Sequence, residues 1–313
     1  MSSNISTVLV TGAAGLIGSE VTHLLLDRGI YVVTLDNFSI GSWRDEEKAV
    51  AWENVDVSKE EIVHILNKHN PDAVIHCAAH PGGRSLMEPS EDVRVNALGS
   101  MHIFEWCCRT KAQIVYLSSS VVYGEQPNYP IPENASLQPG TIYGICKVAC
   151  ENFLKVLGNG YKLNYTILRL FSTYGAGHRP SLYQGIVNVM LKQLMSGNRV
   201  EVKGALNRVR DLIYVADTAR AIVDSLFNED TRGKVLNVGT GTGKTVLEII
   251  ELLCDALGRH KDDLEIVEMD PVVGDPFYNV ADITKLQEIT GFKPDYDLPT
   301  GLNLLIQKYM RIG

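Results

Sequence analysis

The sequence predicts an α/β protein: a doubly wound parallel sheet with helices on both faces, then a smaller C-terminal α/β lobe. Three observations predict it. Apolar runs of strand length alternate with helical patterns as far as Phe171. A glycine turn, Gly12-Ala13-Ala14-Gly15-Leu16-Ile17-Gly18, follows the first apolar run directly. Beyond Phe171 the alternation loosens, which divides the chain into residues 1–174 and 175–313, with residues 211–240 returning to the first part.

The elements follow in order. Thr7-Val8-Leu9-Val10 reads as a buried strand, and residues 16–28 carry apolar side chains at helical spacing with Gly29 as a stop. Tyr31-Val32-Val33-Thr34-Leu35 is a second strand ending in Asp36, and Ala73-Val74-Ile75-His76 is another. Residues 91–109 read as a long helix despite Gly99. Gln113-Ile114-Val115-Tyr116-Leu117 is a strand that delivers Ser118, Ser119 and Ser120 at its carboxyl end, where open parallel sheets bind ligands. Residues 124–140 are rich in proline and polar side chains, hence a loop, and a helix spans 141–157. Residues 165–170 form a further strand. Then come a Gly/Pro/His loop at 175–183 and short strands at 200–202, 212–214 and 235–238 among helices.

Charge and composition narrow the partners. A net charge of -8 argues against a nucleic-acid or anionic membrane surface. No apolar run reaches the roughly 20 residues of a membrane span, and the N-terminus lacks a signal-peptide pattern. The six cysteines have neither zinc-finger nor Cys-x-x-Cys spacing, so reduced thiols in a cytoplasmic protein are expected.

Strand, glycine turn, helix, strand, acid is an order with a chemical meaning. Backbone N–H groups at a helix start hold a pyrophosphate, and glycines let it approach. Asp36 is placed to accept hydrogen bonds from a ribose diol, and its charge repels a 2′-phosphate, so NAD is expected rather than NADP. Asp56 faces either an adenine amino group or the start of the helix before Lys59; both readings stand. Tyr143 and Lys147 share one helix face. A cation beside a phenol favours the phenolate. Making tyrosine a base near neutrality takes about 3 pKa units, roughly 4 kcal/mol, part of which a positive nicotinamide ring could supply. With Ser119 upstream, the arrangement points to proton abstraction coupled to hydride transfer. Two look-alikes are set aside. Gly239-Thr240-Gly241-Thr242-Gly243-Lys244-Thr245 lacks the first glycine of a P-loop, where Val238 stands. His76 and His80 flank a strand end, where a structural role is expected, so no metal is expected.

Taken together these residues resemble the extended short-chain dehydrogenase/reductase family with its Rossmann domain, and within it the NAD-dependent nucleotide-sugar epimerases and dehydratases. The likeness runs through Val10-Thr11-Gly12 to Gly18, Asp36-Asn37, His76-Cys77-Ala78-Ala79, Asn96, Ser118-Ser119-Ser120, Tyr143 to Lys147, Leu168-Arg169-Leu170-Phe171, Arg210-Asp211 and Asn237-Val238-Gly239. The resemblance implies that Tyr143 takes a proton from the sugar 4-hydroxyl while hydride passes to NAD, giving a 4-keto sugar. It further implies that Lys147 holds the nicotinamide ribose and that Ser119 hydrogen-bonds the reacting oxygen. It makes Gly12, Ala14, Gly15, Leu16, Ile17, Gly18, Asp36, Asn37, Asp56, Val57, Ala78, Ala79, Asn96, Tyr143 and Lys147 the NAD contacts. Ser119, Ser120, Ser172, Arg179, Arg208 and Arg210 become the contacts to a nucleotide-diphospho-sugar.

Departures sharpen the subfamily. Dehydratases carry an acid just after the catalytic Ser/Thr; here Ser120 and Val121 follow Ser119, and Glu125 is the nearest substitute. UDP-hexose epimerases carry Asn at the place of Ser172 and Arg at that of Val272. The stretch 179–210 looks more like epimerase-like enzymes of surface-polysaccharide pathways, with UDP, GDP or dTDP left open. Family members often pair two helices into a homodimer; here those helices carry Ile103, Phe104, Trp106, Val148, Phe153 and Leu154. The same side chains could instead pack on the sheet.

Overall fold

The computed structural model describes residues 5–41, 51–175 and 185–312. The first half runs β1 (Thr7–Thr11), α1 (Leu16–Asp27), β2 (Tyr31–Asp36), β3 (Trp52–Asn54), α2 (Glu61–His69), β4 (Ala73–His76) and a single turn α3 (Pro89–Glu91). That turn passes through a π-helical stretch, Asp92–Gly99, into α4 (Ser100–Thr110). Then follow β5 (Gln113–Ser119), α5 (Ile142–Tyr161) and β6 (Tyr165–Leu170). The second half holds β7 (Ser172–Tyr174), α6 (Ile186–Ser196), β8 (Arg199–Lys203), β9 (Val209–Tyr214), α7 (Val215–Phe227) and β10 (Lys234–Val238). It continues with β11 (Gly243–Thr245), α8 (Val246–Leu257), β12 (Glu265–Met269), β13 (Tyr278–Asn279), α9 (Thr284–Thr290) and α10 (Leu298–Ile312).

Seven strands form a parallel sheet in the order β10-β6-β5-β4-β1-β2-β3. Its strands are apolar without alternation because both faces are covered. Val8, Val10, Val32, Ile75 and Val115 pack under α1 and α7 on one face. Leu9, Val33, Val74 and Ile114, one residue out of phase, pack under α2, α4 and α5 on the other. The strand order reverses between β1 and β4, which opens a crevice at their carboxyl ends.

The segment 211–240 splits. Its strand β10 joins the edge of the large sheet beside β6, while residues 211–214 lie in β9, the centre of a small second sheet. In that sheet β9 pairs antiparallel with β11 and parallel with β13 and β7. A third pairing, β8 with β12, rests on α6 and α8 over a separate apolar core that includes Val187, Leu191, Val200 and Ile250. Gly99 interrupts no helix. A Cβ there would meet Val57 Cγ2 at 2.9 Å, so the glycine lets the helix run close to the 57–58 turn.

Behind the sheet's carboxyl edge a buried polar network joins β6 to α5. Arg169 donates to both Glu151 oxygens at 2.9 and 2.6 Å, and to the Tyr123 hydroxyl and the Glu133 carbonyl at 2.9 Å each. Ser118 donates to Glu151 at 2.7 Å, and Tyr123 donates to Asn237 at 2.6 Å. Neutralising one partner of such a pair leaves an uncompensated buried charge. Glu151→Gln is therefore expected to cost about 3 kcal/mol or more of stability in urea unfolding; a loss below about 1 kcal/mol, the size of an exposed pair, would show that the network carries no weight.

Candidate active site

A cavity of about 630 Å³ follows the crevice from the glycine turn to β7 and α6. The glycines shape its floor. Gly12 sits at φ +66, and a Cβ on it would meet Ala78 N at 2.7 Å. A Cβ on Gly18 would collide with the Gly12 carbonyl. Chain and helix thus approach closely, and α1 starts at Leu16 with no side-chain cap from Gly15, so that the helix start lines the cavity where a phosphate would lie. Asp36 closes the turn by accepting the Ala14 N–H at 2.9 Å and the Phe38 N–H at 2.7 Å. Burial pushes its carboxyl above the usual range, and these backbone donors pull it back down.

The reacting end lies on α5. Thr141 caps it by accepting the Gly144 N–H at 3.1 Å, and Ser85, from the turn after β4, accepts the Tyr143 N–H at 3.2 Å. Gly82 on the same turn lies flat against the Tyr143 ring, where a Cβ would stand 3.3 Å from Cδ1. Ser119 lies by the Tyr143 phenol and favours its ionised form. Lys147 is buried, donates to the Leu117 carbonyl at 2.8 Å, and lies 4.8 and 5.6 Å from the Tyr116 and Tyr143 ring centroids.

The protein alone drives this pair toward its neutral forms. Burial pushes the Tyr143 phenol up to about 12, against the Ser119 hydroxyl and with a smaller push from Asp92. Burial pushes Lys147 down to about 8, against nearby Cys150, Cys77, Cys146 and Glu151. Without a positive nicotinamide ring beside them, desolvation is the largest effect on both groups.

Several expected contacts lie elsewhere. Of the NAD set, Gly12, Gly15, Leu16, Ile17, Gly18, Asp36, Asn37, Asp56, Val57, Ala78, Ala79, Tyr143 and Lys147 line the cavity. Ala14 and Asn96 do not. The Ala14 N–H is taken by Asp36, and the Asn96 amide clamps the loop after β4, accepting the His80 N–H at 2.8 Å and donating to its carbonyl at 3.1 Å. Asp56 lines the wall but is the turn cap: it accepts from Ser58 N at 2.9 Å and Oγ at 2.7 Å and pairs with Arg94 at 2.9 Å. Of the substrate set, Ser119 lines the cavity, whereas Ser120, Ser172, Arg208 and Arg210 do not. Ser120 accepts from Asn279 at 2.8 Å, and Arg208 and Arg210 both pair with Asp275, the latter at 2.8 Å. Arg179 falls outside the described residues.

Sequence reasoning missed Ser85, Arg84, Thr173 and Asn188, all near the reacting end. Buried Asn188 lines the cavity with its Oδ1 unpartnered among the described residues. The signal for Arg84 and Ser85 was present, a Pro-Gly-Gly loop at the ligand edge of a parallel strand. His76 holds Thr11 at 2.7 Å and Ser100 at 3.0 Å and is pushed down to about 3 by burial, so it stays neutral and structural. No metal-holding cluster occurs among the described residues. The loop 239–245 donates its N–H groups inward. Asp211 accepts from Thr240 N at 2.8 Å, Gly241 N at 3.0 Å and Ala281 N at 3.1 Å, filling the place a phosphate would take.

Residues 8–239 match the profile of the NAD dependent epimerase/dehydratase family. The chain belongs to this family. It is therefore an NAD-dependent enzyme, and the cavity's glycine floor, Asp36 and the Tyr143/Lys147 pair fit that cofactor. A family member from Mycolicibacterium smegmatis, a UDP-glucose 4-epimerase, is 30% identical over 302 residues, covering 94% of this chain and 95% of that one. The crystal structure of the Thermotoga maritima UDP-glucose 4-epimerase with UDP-glucose superposes with a TM-score of 0.91 at 31% identity, covering 98% and 99% of the two chains. That of the Thermus thermophilus UDP-glucose 4-epimerase with NAD gives 0.88 at 30%, covering 97% and 99%. No helix among the described residues is long and apolar enough to cross a membrane.

The buried lysine sets a stability test. Its folded pKa near 8 lies below the ordinary 10.5, so between these values the unfolded chain binds more protons and stability rises with pH. Below pH 8 the buried charge costs the cofactor-free protein about 3 kcal/mol. Lys147→Met should therefore be more stable than wild type at pH 7.5, with the gap shrinking by about 2 kcal/mol at pH 9.5. Urea midpoints at the two pH values measure it, and a pH-independent gap would refute the assignment.

Proposed function

We propose that the protein is a C4 epimerase of nucleotide-diphospho-sugars. The observation that carries this reading is that Ser119, Tyr143 and, one helical turn on, Lys147 all line one cavity with the glycine turn. In this reading the sugar 4-hydroxyl lies against Ser119 and Tyr143, and Tyr143 takes its proton. NAD held at the glycine turn would supply the reversible hydride acceptor, and Tyr143 returns the proton to O4 when hydride is restored to the other face of C4. Lys147 uses one donor on Leu117 and has others for a ribose hydroxyl and the phenolate. Its charge, with that of the oxidised ring, offsets the burial that otherwise keeps the phenol protonated. The first 174 residues, with β10, hold the cofactor, and most of 175–313 closes over the sugar nucleotide.

UDP is the nucleotide favoured by the relatives. Thr173 and Asn188 are placed to meet the sugar nucleotide, while Arg208 and Arg210 reach a diphosphate only where it takes the place of Asp275. Elimination of water finds no support. Ser120 is engaged by Asn279, and Glu125 accepts the Phe277 N–H at 2.6 Å without lining the cavity. Six free thiols suit a reducing cytoplasm. Incubation with UDP-sugars should give a product of unchanged mass inverted at C4. Tyr143→Phe should lower turnover by about 10²-fold or more; full turnover by that variant, or a product lighter by one water, would overturn the reading.

We also propose a homodimer, through a face different from the one the sequence suggests. Ile103, Phe104, Trp106 and Leu154 are buried against the sheet. The same helical region instead exposes Val93 (54%), Leu98 (48%), Ile145 (50%) and Val156 (65%). Sedimentation velocity should show a dimer that Val156→Asp dissociates; a monomer in the wild type would refute it.

A further inference from the structure

The charges along the cavity wall are nearly all spoken for. Asp36 is bonded to backbone N–H groups, Asp56 and Glu91 hold Arg94, Glu88 holds His80 at 3.1 Å, and Lys147 holds Leu117. Arg84 lines the same cavity and has no hydrogen bond or ion pair among the described residues. Its position is fixed although its side chain is unpartnered. It lies between Gly82, pressed on the Tyr143 ring, and Ser85, which accepts the Tyr143 N–H. A guanidinium is thus carried on a turn clamped to the proposed base.

Sugar chemistry says which anion can reach it. In a pyranose bonded to Tyr143 through its 4-hydroxyl, C1 and its diphosphate lie across the ring. C6, on the carbon next to C4, lies on the near side. An anion beside the base is therefore a C6 carboxylate rather than the diphosphate. A planar guanidinium matches a carboxylate with two parallel hydrogen bonds.

We propose that Arg84 is a specificity-determining residue that selects nucleotide-activated uronic acids over neutral hexoses. This rests on the epimerase reading for the orientation of the sugar. Turnover and equilibrium binding of UDP-glucuronate and UDP-glucose are measured in parallel, binding being read on NAD-loaded Tyr143→Phe protein. The wild type should prefer the uronate about tenfold or more in kcat/KM, the weight of one charge-assisted contact. Arg84→Met should collapse that preference about tenfold, mainly through KM, and Arg84→Lys should restore part of it. A preference for the neutral sugar, or a ratio unchanged by Arg84→Met, overturns the proposal. Were C4 inversion seen with such an unchanged ratio, this inference would fail and the epimerase reading would stand. An Arg84-dependent preference in binding without any turnover would keep the carboxylate site and refute the epimerase.

Discussion

A buried ammonium with no paired carboxylate is the constraint around which the reacting end is arranged. Lys147 has one carbonyl and two aromatic faces for company, and burial alone drives it toward the uncharged amine. Such a group is tolerated where something else completes its shell. The helix that carries it is held at its start by two caps, Thr141 from within and Ser85 from across the crevice. The phenol one turn earlier is thereby fixed against Ser119. The geometry is in place before any ligand arrives, and the electrostatics are not. The protein sets the positions, and in the proposed reading the cofactor's positive ring and ribose would supply the field and the missing acceptors.

Elsewhere the opposite rule holds, and charge is consumed internally. Arg169 and Glu151 neutralise each other beneath the sheet edge, and Asp275 occupies two guanidiniums at once. These pairs fix loops and helices without placing net charge at the sugar. The contrast gives the one unpartnered guanidinium of the described cavity wall its meaning, since the other charges on that wall are bonded within the protein.

The large sheet was legible in the sequence because its strands are continuous apolar runs bounded by turn residues, a pattern that burial on both faces demands. The glycine turn and Asp36 were legible through spacing. Short strands such as β3, β7 and β13 were not, since three or two residues leave no period to read. Dimer candidates such as Trp106 and Phe104 illustrate a different limit: an apolar helix shows that a face is buried, not what buries it. Ala14 and Asn96 show the same for polar groups. Their hydrogen-bonding capacity was evident, but whether a ligand or the chain itself uses it depends on partners 22 and 16 residues away. Arg84 was overlooked because a single cation in a Pro-Gly-Gly stretch has no periodicity. Its weight comes from neighbours on α5 brought in by the fold.

The Asp211 nest carries a lesson for how strings of glycine, lysine and threonine are interpreted. An anion receptor made of main-chain amides is present in this protein, and its guest is covalently part of the host. A tethered occupant competes at a high effective concentration set by the fold, which a dilute free nucleotide does not match. The same backbone shape that elsewhere recruits a mobile phosphate here serves as permanent mortar between the two sheets.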